Sequence, residues 1–335
     1  MLKSTLAALS VLLCVQFANA QSTTAATDPV GFVSISIPAQ TDYVMGFPLH
    51  RPSEFQGVIQ SISGNTVTVA GTPGWTASQF VFASGSQLKT YYVRIDSGAK
   101  EGLFAMVTAN DATSITVSLN TGDDLSGVLT NAANGSGDLI SIIPYWTPST
   151  LFSGMAAGTQ LFLFPTNTPG INFSASTIYA FNGTNWKQGF NVADNTPLIP
   201  LQGMILRNSS ASPISMAVTG SVPMTTNRLL MSTLAANTQQ DIWFFYNSPV
   251  PEVIGNLNLG VTAGDQLMAF DNTATGFNKS PSQIVSWNGT QWKQGFTDVT
   301  HTYTLNPGNS YLFRKAGTAS PSTYTWSSLP SYLAP

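Results

Sequence analysis

Apolar and polar side chains alternate with a period of two along most of this chain, in short runs broken by Gly, Asn, Ser and Pro. Val58-Ile59-Gln60-Ser61-Ile62-Ser63 and Thr66-Val67-Thr68-Val69 flank Gly64-Asn65, the pattern of two strands joined by a tight hairpin turn. Tyr91-Tyr92-Val93-Arg94-Ile95 and Ser114-Ile115-Thr116-Val117-Ser118-Leu119 read as further strands between turn-forming residues. Beyond the first twenty residues no long segment repeats at 3.6, so helix is expected to be nearly absent. The pattern predicts an all-β protein built as a multi-unit β-sandwich or small-barrel architecture. An outer-membrane barrel is the poorer alternative, since it needs many alternating segments of about ten residues. This chain is broken by 20 prolines.

Self-comparison adds a repeat. Residues 151–190 align without a gap to residues 257–296, and 20 of those 40 positions are identical. The strongest stretch is Asn182-Gly183-Thr184-Asn185-Trp186-Lys187-Gln188-Gly189-Phe190, against Asn288-Gly289-Thr290-Gln291-Trp292-Lys293-Gln294-Gly295-Phe296. Arg207 and Arg314 then fall at matched strand ends. This reads as a tandem-duplicated β module in the C-terminal two-thirds, near 139–223 and 224–330, after an N-terminal β unit at 21–138. The best loop between the first two units is 131–137. In each copy Asn-Gly predicts a two-residue turn that sets Tyr179 opposite Trp186 and Val285 opposite Trp292, with Phe181 and Trp287 on the same faces.

Residues 1–20 read differently from the rest. Lys3, an apolar run through Val15 and Ala18-Asn19-Ala20 have the order of a secretory signal peptide with its small-residue cleavage site. The expected address is outside the cytoplasm: extracellular, cell surface or periplasm. The single cysteine, Cys14, lies inside that leader. A mature chain of this size needs no disulfide to bury a core. No later segment is a continuous apolar stretch long enough to span a membrane.

Composition narrows the chemistry. Charged residues are 8% of the chain, against about 25% in ordinary proteins. With 12 Lys+Arg and a net charge of −3, a nucleic-acid footprint is excluded. No nucleophile elbow, phosphate loop, dinucleotide fingerprint or zinc-protease helix motif occurs. A catalytic triad would have to use His50 or His301, the two histidines, and each reads more simply as a solvent-facing or hydrogen-bonded structural residue. Asp96, Glu101, Asp123, Asp124 and Asp138 fall in one unit, but with 15 Asp+Glu some carboxylate pair is always available. Asp123 and Asp124 are weak Ca²⁺ candidates in a turn that lacks the regular calcium-loop spacing. No cofactor is called for.

Trp186 and Trp292, with Gln188 and Gln294 beside them, have two readings. They would stack on a sugar and bond its hydroxyls, or the indoles would fill the module cores. Duplication favours packing, because a copied fold must keep its core and need not keep a site. Arg207 and Arg314 read as structural charges.

One further pattern concerns the N-terminal third. Asp28-Pro29-Val30-Gly31-Phe32-Val33, His50-Arg51-Pro52, Phe55-Gln56-Gly57, Pro73-Gly74-Trp75, Tyr91-Tyr92-Val93 with Ser97-Gly98, Glu101-Gly102, and Gly137-Asp138 running to Trp146 occur in that order. Together they resemble a paralogous family of uncharacterised exported proteins of verrucomicrobial-type bacteria. The resemblance runs through nearly the whole mature chain. It implies a signal peptide and an envelope or extracellular setting, and it carries over no catalytic residues. The function expected is that of an exported, non-catalytic structural or cell-surface protein, self-associating or held in an extracellular matrix. The alternative is an extracellular glycan-binding module, or a β-rich glycan-active enzyme, acting on envelope or extracellular polysaccharide.

Overall fold

A computed structural model describes residues 28–334. The signal peptide expected at 1–20 lies outside the described residues. The fold is all-β, as the period-two pattern predicts. Two four-residue helices, α1 (Asn131–Asn134) and α2 (Pro148–Leu151), interrupt the strands, and no described helix is long and apolar enough to cross a membrane.

The chain first lays down β1 (Val30–Ile37) and β2 (Thr41–Met45) and then leaves them. It enters an antiparallel barrel of β3 (Phe55–Ser63), β4 (Thr66–Val69), β5 (Tyr91–Ile95), β6 (Phe104–Asn110), β7 (Ser114–Ser118) and β8 (Leu139–Pro144). The barrel closes in the order β3-β4-β7-β6-β5-β8, leaving no free edge. The Gly64-Asn65 hairpin forms as expected: Ser63 pairs with Thr66, and Gly64 takes the positive φ that the turn requires. Ile59, Val67, Val93, Ile115 and Ile140 fill its interior with Trp75 and Phe80.

After the barrel come β9 (Gln160–Leu163), β10 (Thr177–Phe181), β11 (Trp186–Gln188), β12 (Asn191–Val192), β13 (Met204–Asn208) and β14 (Ile214–Ser221). These return to the first two strands. A six-stranded sheet runs β12-β11-β10-β9-β13-β2, while β1 pairs with β14 along all eight residues. That ribbon turns Ile35, Ile37, Met216 and Val218 onto the sheet's Leu161, Tyr179, Trp186 and Leu206, forming a sandwich core.

The rest of the chain repeats the plan without an insertion. A ribbon of β15 (Asn227–Thr233) and β24 (Ser322–Ser328) packs on a sheet of β16 (Gln240–Phe245), β18 (Gln266–Ala269), β19 (Gln283–Trp287), β20 (Trp292–Gln294), β21 (Thr297–Asp298) and β23 (Ser310–Lys315). Its order, β16-β23-β18-β19-β20-β21, mirrors the first sheet. A small side pair is made by β17 (Glu252–Val253) and β22 (Thr304–Leu305).

The units therefore do not divide at 138/139. β1 and β2 belong to the first module, β8 belongs to the barrel, and the 131–137 segment is a connection inside the barrel that carries α1. The barrel is an insertion between β2 and the rest of its module. The partners of β1 and β2 lie far downstream, so the local pattern gives no sign of that pairing.

The Asn-Gly hairpins also differ from the two-residue turn expected. Phe181 pairs with Trp186, and Trp287 with Trp292, across four-residue loops. The Asn182 side-chain oxygen accepts from the amides of Thr184 (2.9 Å) and Asn185 (2.8 Å), and Asn288 does the same for Thr290 and Gln291. An asparagine that organises the loop with its own side chain sets the longer turn. The buried faces are unchanged, since a shift of two keeps the parity.

The two modules hold each other reciprocally. Arg207 on β13 donates through Nε and Nη2 to both Asp42 oxygens, at 2.7 and 2.8 Å, and Nη2 also reaches Asn278 of the other module. The Asn278 amide donates to Asp42 at 2.6 Å, and the Asp42 amide donates to the Gly276 carbonyl. In mirror fashion, Arg314 on β23 grips Asp241 at 2.7 and 2.9 Å and reaches Asn172. The Asn172 amide donates to Asp241 at 2.7 Å, and the Asp241 amide to Gly170. Each module's outer strand, β2 or β16, is thus covered by a loop of the other, so neither edge is left to pair with a foreign strand. Between the two clasps Trp243 is stacked by Phe164 (4.5 Å) and Phe270 (5.3 Å), matched residues of the two copies. Gly46 permits the crossing, because a Cβ there would lie 2.0 Å from the Phe245 ring.

The clasp carboxylates are almost fully buried, so removing one leaves a guanidinium without its partner. Asp241→Ala is expected to cost about 3–5 kcal/mol in urea unfolding, with Asp42→Ala close behind. The surface pair Lys89–Glu54, with both side chains about 40% exposed, should cost under about 1 kcal/mol when broken.

Candidate functional site

The repeat-borne tryptophans do not form a binding face. Trp186 is 1% exposed and Trp292 3%, each inside its sandwich core. Trp186 packs against Phe152 and Phe181, and Trp292 against Trp287. Gln188 and Gln294 are exposed, but the indoles beside them are turned inward, so the stacking platform is not assembled. Of the two readings, core packing is the one the structure shows. At the same hairpins the aromatic residues that do reach solvent are Phe190 and Phe296, at 102% and 104% exposure. Each follows a glycine of positive φ at the tip of the β11–β12 or β20–β21 hairpin. Their signal was visible in the sequence: a phenylalanine retained in both copies where the hairpin needs only the glycine.

The acidic residues of the barrel are committed to structural partners. Asp123 binds Arg228 at 3.3 Å and Asp124 binds Lys100 at 2.9 Å, so the two neighbours serve different cations and do not converge on a Ca²⁺ site. The Asp124 carboxyl is held far below its usual range, first by the Ser126 hydroxyl and then by Lys100. Glu101 accepts from the amide and hydroxyl of Thr226, at 2.7 and 3.0 Å, and with Arg228 this docks the barrel onto the second module's ribbon. Asp138 accepts from Ser97 and from the Leu129 amide. Among the described residues no three His, Cys, Asp or Glu side chains cluster as metal ligands.

A cleft opens where the barrel and both modules meet. The barrel contributes Tyr92, Arg94 and Phe104 from β5 and β6, the first module His50, Trp146 and Leu201, and the second Thr226, Phe245 and Asn247. Its volume is ≈ 70 Å³, and the wall is mostly apolar. β5 is buried on both faces because its outward side chains meet this junction, where Tyr92, Ile143 and Tyr145 form a small cluster of their own outside the barrel core. Trp146 is fixed by its indole N–H, which donates to the Leu49 carbonyl at 2.8 Å.

Three polar residues stand in its lining, and the unpartnered atoms of His50 and Asn247 are buried in the surrounding packing. His50, 7% exposed, donates from Nδ1 to the Arg51 carbonyl at 2.8 Å. That bond fixes the tautomer and leaves Nε2 as an acceptor, buried and without a partner. Asn247 Oδ1 is likewise buried and unpartnered. Arg94 Nε donates to Asp96 at 2.6 Å, and Asp96 in turn accepts from the Ser141 hydroxyl. No acceptor among the described residues meets the terminal Arg94 nitrogens. Burial, helped by the positive charge of Arg94, lowers the His50 pKa to about 4, while the Arg51 carbonyl and Asp28 pull weakly the other way. The imidazole is neutral at pH 7. Burial also pushes the Tyr92 and Tyr145 hydroxyls well above their usual range. His301, by contrast, faces solvent.

The cleft is lined by two arginines, Arg94 and Arg228, each paired with a carboxylate that lies outside the lining, Asp96 and Asp123. Sequence reasoning named His50 as a structural residue and missed Arg94 and Asn247, which come from different units. No protein-family model, curated protein or solved structure matches the chain.

Two outcomes follow from this geometry. Trp186→Ala and Trp292→Ala should each destabilise the protein by about 3–5 kcal/mol, read from urea midpoints, because each empties a core site. For His50, the unfolded chain takes up a proton near pH 6.5 and the folded one only near pH 4. Stability should therefore fall as the pH drops through that window, by up to roughly 3 kcal/mol. Urea unfolding at pH 7 and pH 4 measures the loss, and His50→Gln should reduce it.

Proposed function

We propose that the protein is exported and works without catalysis, as a structural component of a cell-surface or extracellular layer that assembles through its two hairpin tips. The observation that carries this reading is the pair of fully exposed phenylalanines, Phe190 and Phe296. Burying one such ring on association contributes about 1.5–3 kcal/mol. The two tips lie on β12 and β21 margins, the far edges of sheets whose near edges meet at the clasps. A molecule with a sticky tip at each end favours chain growth over a closed pair. Both edge strands are only two residues long, so side-chain burial rather than backbone pairing is the means. A surface with 8% charged residues offers little repulsion to neighbours. Duplication of one module supplies the tip twice. The signal-peptide pattern and the resemblance to exported proteins agree with this setting.

Sedimentation velocity over a range of concentrations tests it. The wild type should show sedimentation coefficients that rise with concentration, and Phe190→Ser/Phe296→Ser should remain monomeric. Thermal stability of the variant should stay within about 0.5 kcal/mol of wild type, because neither ring is packed. A wild type that stays monomeric throughout, or a double variant that associates equally well, would refute the reading.

A further inference from the structure

The junction cleft has no part in assembly through the tips, and its lining is one-sided in charge and in hydrogen bonding. Arg94 comes from the barrel and Arg228 from the second module, and no Asp or Glu stands among the lining residues. Arg94 is 9% exposed and commits only Nε, to Asp96 at 2.6 Å. Its terminal nitrogens hold the remaining N–H groups of the guanidinium, which meet no acceptor among the described residues and are not sealed from solvent. Arg228 commits Nη2 to Asp123 at 3.3 Å and keeps Nε and Nη1. Tyr92 and Tyr145 add two hydroxyls in the same condition: each belongs to a buried lining residue, has no partner and is not closed off. Burial keeps both as protonated phenols at neutral pH. The unpartnered acceptors His50 Nε2 and Asn247 Oδ1, by contrast, are sealed in the packing. The side chains therefore offer an occupant chiefly donors, two of them cationic.

Charge and size then set the class. Asp96 and Asp123 lie outside the lining, and each holds its arginine by one nitrogen while the other donors stay free. The Arg94 charge is still felt by its neighbours: it lowers the His50 pKa and works against burial at Tyr92 and Tyr332. A neutral occupant draws nothing from that field, and a cation is repelled by it. A volume of ≈ 70 Å³ is the liquid share of about two waters, which shuts out a sugar ring and admits an ion of about four or five heavy atoms. Carboxylates and tetrahedral oxyanions both present paired oxygens that match the fork of a guanidinium.

We propose that the cleft between the barrel and the two modules binds one small oxyanion, of acetate to phosphate size, between the guanidinium groups of Arg94 and Arg228, with the Tyr92 and Tyr145 hydroxyls as further donors. The ion bridges a barrel strand to the second module's ribbon, where those units otherwise meet through Glu101–Thr226 and Asp123–Arg228. Occupancy thereby ties the corner together, separately from the clasps and the hairpin tips.

The experiment is titration calorimetry of the purified protein at pH 7 and low salt with sodium phosphate, sodium sulfate and sodium acetate, alongside the neutral isosteres dimethyl sulfone and acetamide. At least one anion should bind 1:1 with a dissociation constant of about 1 mM or tighter, and the isosteres roughly tenfold more weakly or not at all. Preference for phosphate or sulfate identifies an inorganic ion as the occupant, and preference for acetate identifies a carboxylate group; either supports the site. Tyr92→Phe and Tyr145→Phe each remove one hydroxyl and no packing, and should each weaken binding by roughly three- to tenfold. Arg228→Gln should weaken it by on the order of tenfold to a hundredfold, the loss of a charged donor. Thermal unfolding gives a second readout. Sulfate and phosphate stabilise any protein to some degree, so Tyr92→Phe/Tyr145→Phe sets that baseline and the wild type should exceed it, in the saturable manner of a bound ion. The proposal is overturned if no anion binds at about 20 mM, or if the isosteres bind as well as the anions. Affinity indifferent to Tyr92→Phe/Tyr145→Phe and to Arg228→Gln, or a wild type that gains no more stability than the double variant, would each overturn it as well. Phe190→Ser/Phe296→Ser should leave anion affinity unchanged, so that assembly and binding are judged separately.

Discussion

The structure depends on the reciprocal clasp in which each module's Asp–Arg pair captures a loop of the other. Asp42 accepts two guanidinium bonds from Arg207 within its own sheet and one amide bond from Asn278 across the boundary. Asp241 accepts the same set from Arg314 and Asn172. A carboxylate with three charge-assisted or amide donors is well satisfied, which is the condition for tolerating its burial. Asn172 and Asn278 both sit at positive φ, a conformation that asparagine accepts more readily than most residues. The loop geometry and the ion pair are therefore one device, used twice.

That device decides how the remaining pieces meet. With β2 and β16 covered, the exposed edges of the two sheets are pushed outward to β12 and β21, where the strands are short and the phenylalanine tips project. The barrel, inserted after β2, is anchored to its own module by the chain and to the second module by Glu101–Thr226 and Asp123–Arg228. Gly102 admits this contact, since it holds a positive φ and a Cβ there would lie 2.1 Å from the Thr226 carbonyl. Three convex bodies held in this way leave a gap at their common corner. The cleft lined by His50, Arg94 and Asn247 is that gap; Arg94 stands on β5, whose other face fills the barrel core, while His50 and Asn247 lie in connections after β2 and β16.

The separation of cores is consistent with this picture. Each sandwich and the barrel has its own hydrophobic cluster, and only the small Tyr92–Ile143–Tyr145 cluster lies at the junction. Contact between units is carried largely by hydrogen bonds, ion pairs and the Trp243 stack. A chain with 8% charged residues spends several of them at these boundaries.

The sequence by itself determined the class of fold, the duplicated hairpins and the inward role of Trp186 and Trp292. Those features rest on local periodicity, on turn chemistry and on a copied pattern that keeps its core residues. It also carried the matched arginines, whose role as structural charges followed from their positions. Tertiary structure alone decided that β1 and β2 belong with strands beyond the barrel, that Asn182 and Asn288 organise four-residue loops, and that β5 is covered on both sides. It alone brought His50, Arg94 and Asn247 to one cavity. The physical reason is common to all but the loops: antiparallel pairing and interface burial join residues of any sequence separation, whereas period and composition report only on neighbours. For the loops the reason is finer, since Asn-Gly serves a two-residue turn or a longer one, and the longer one forms where the Asn182 and Asn288 side chains accept from the amides two and three residues on.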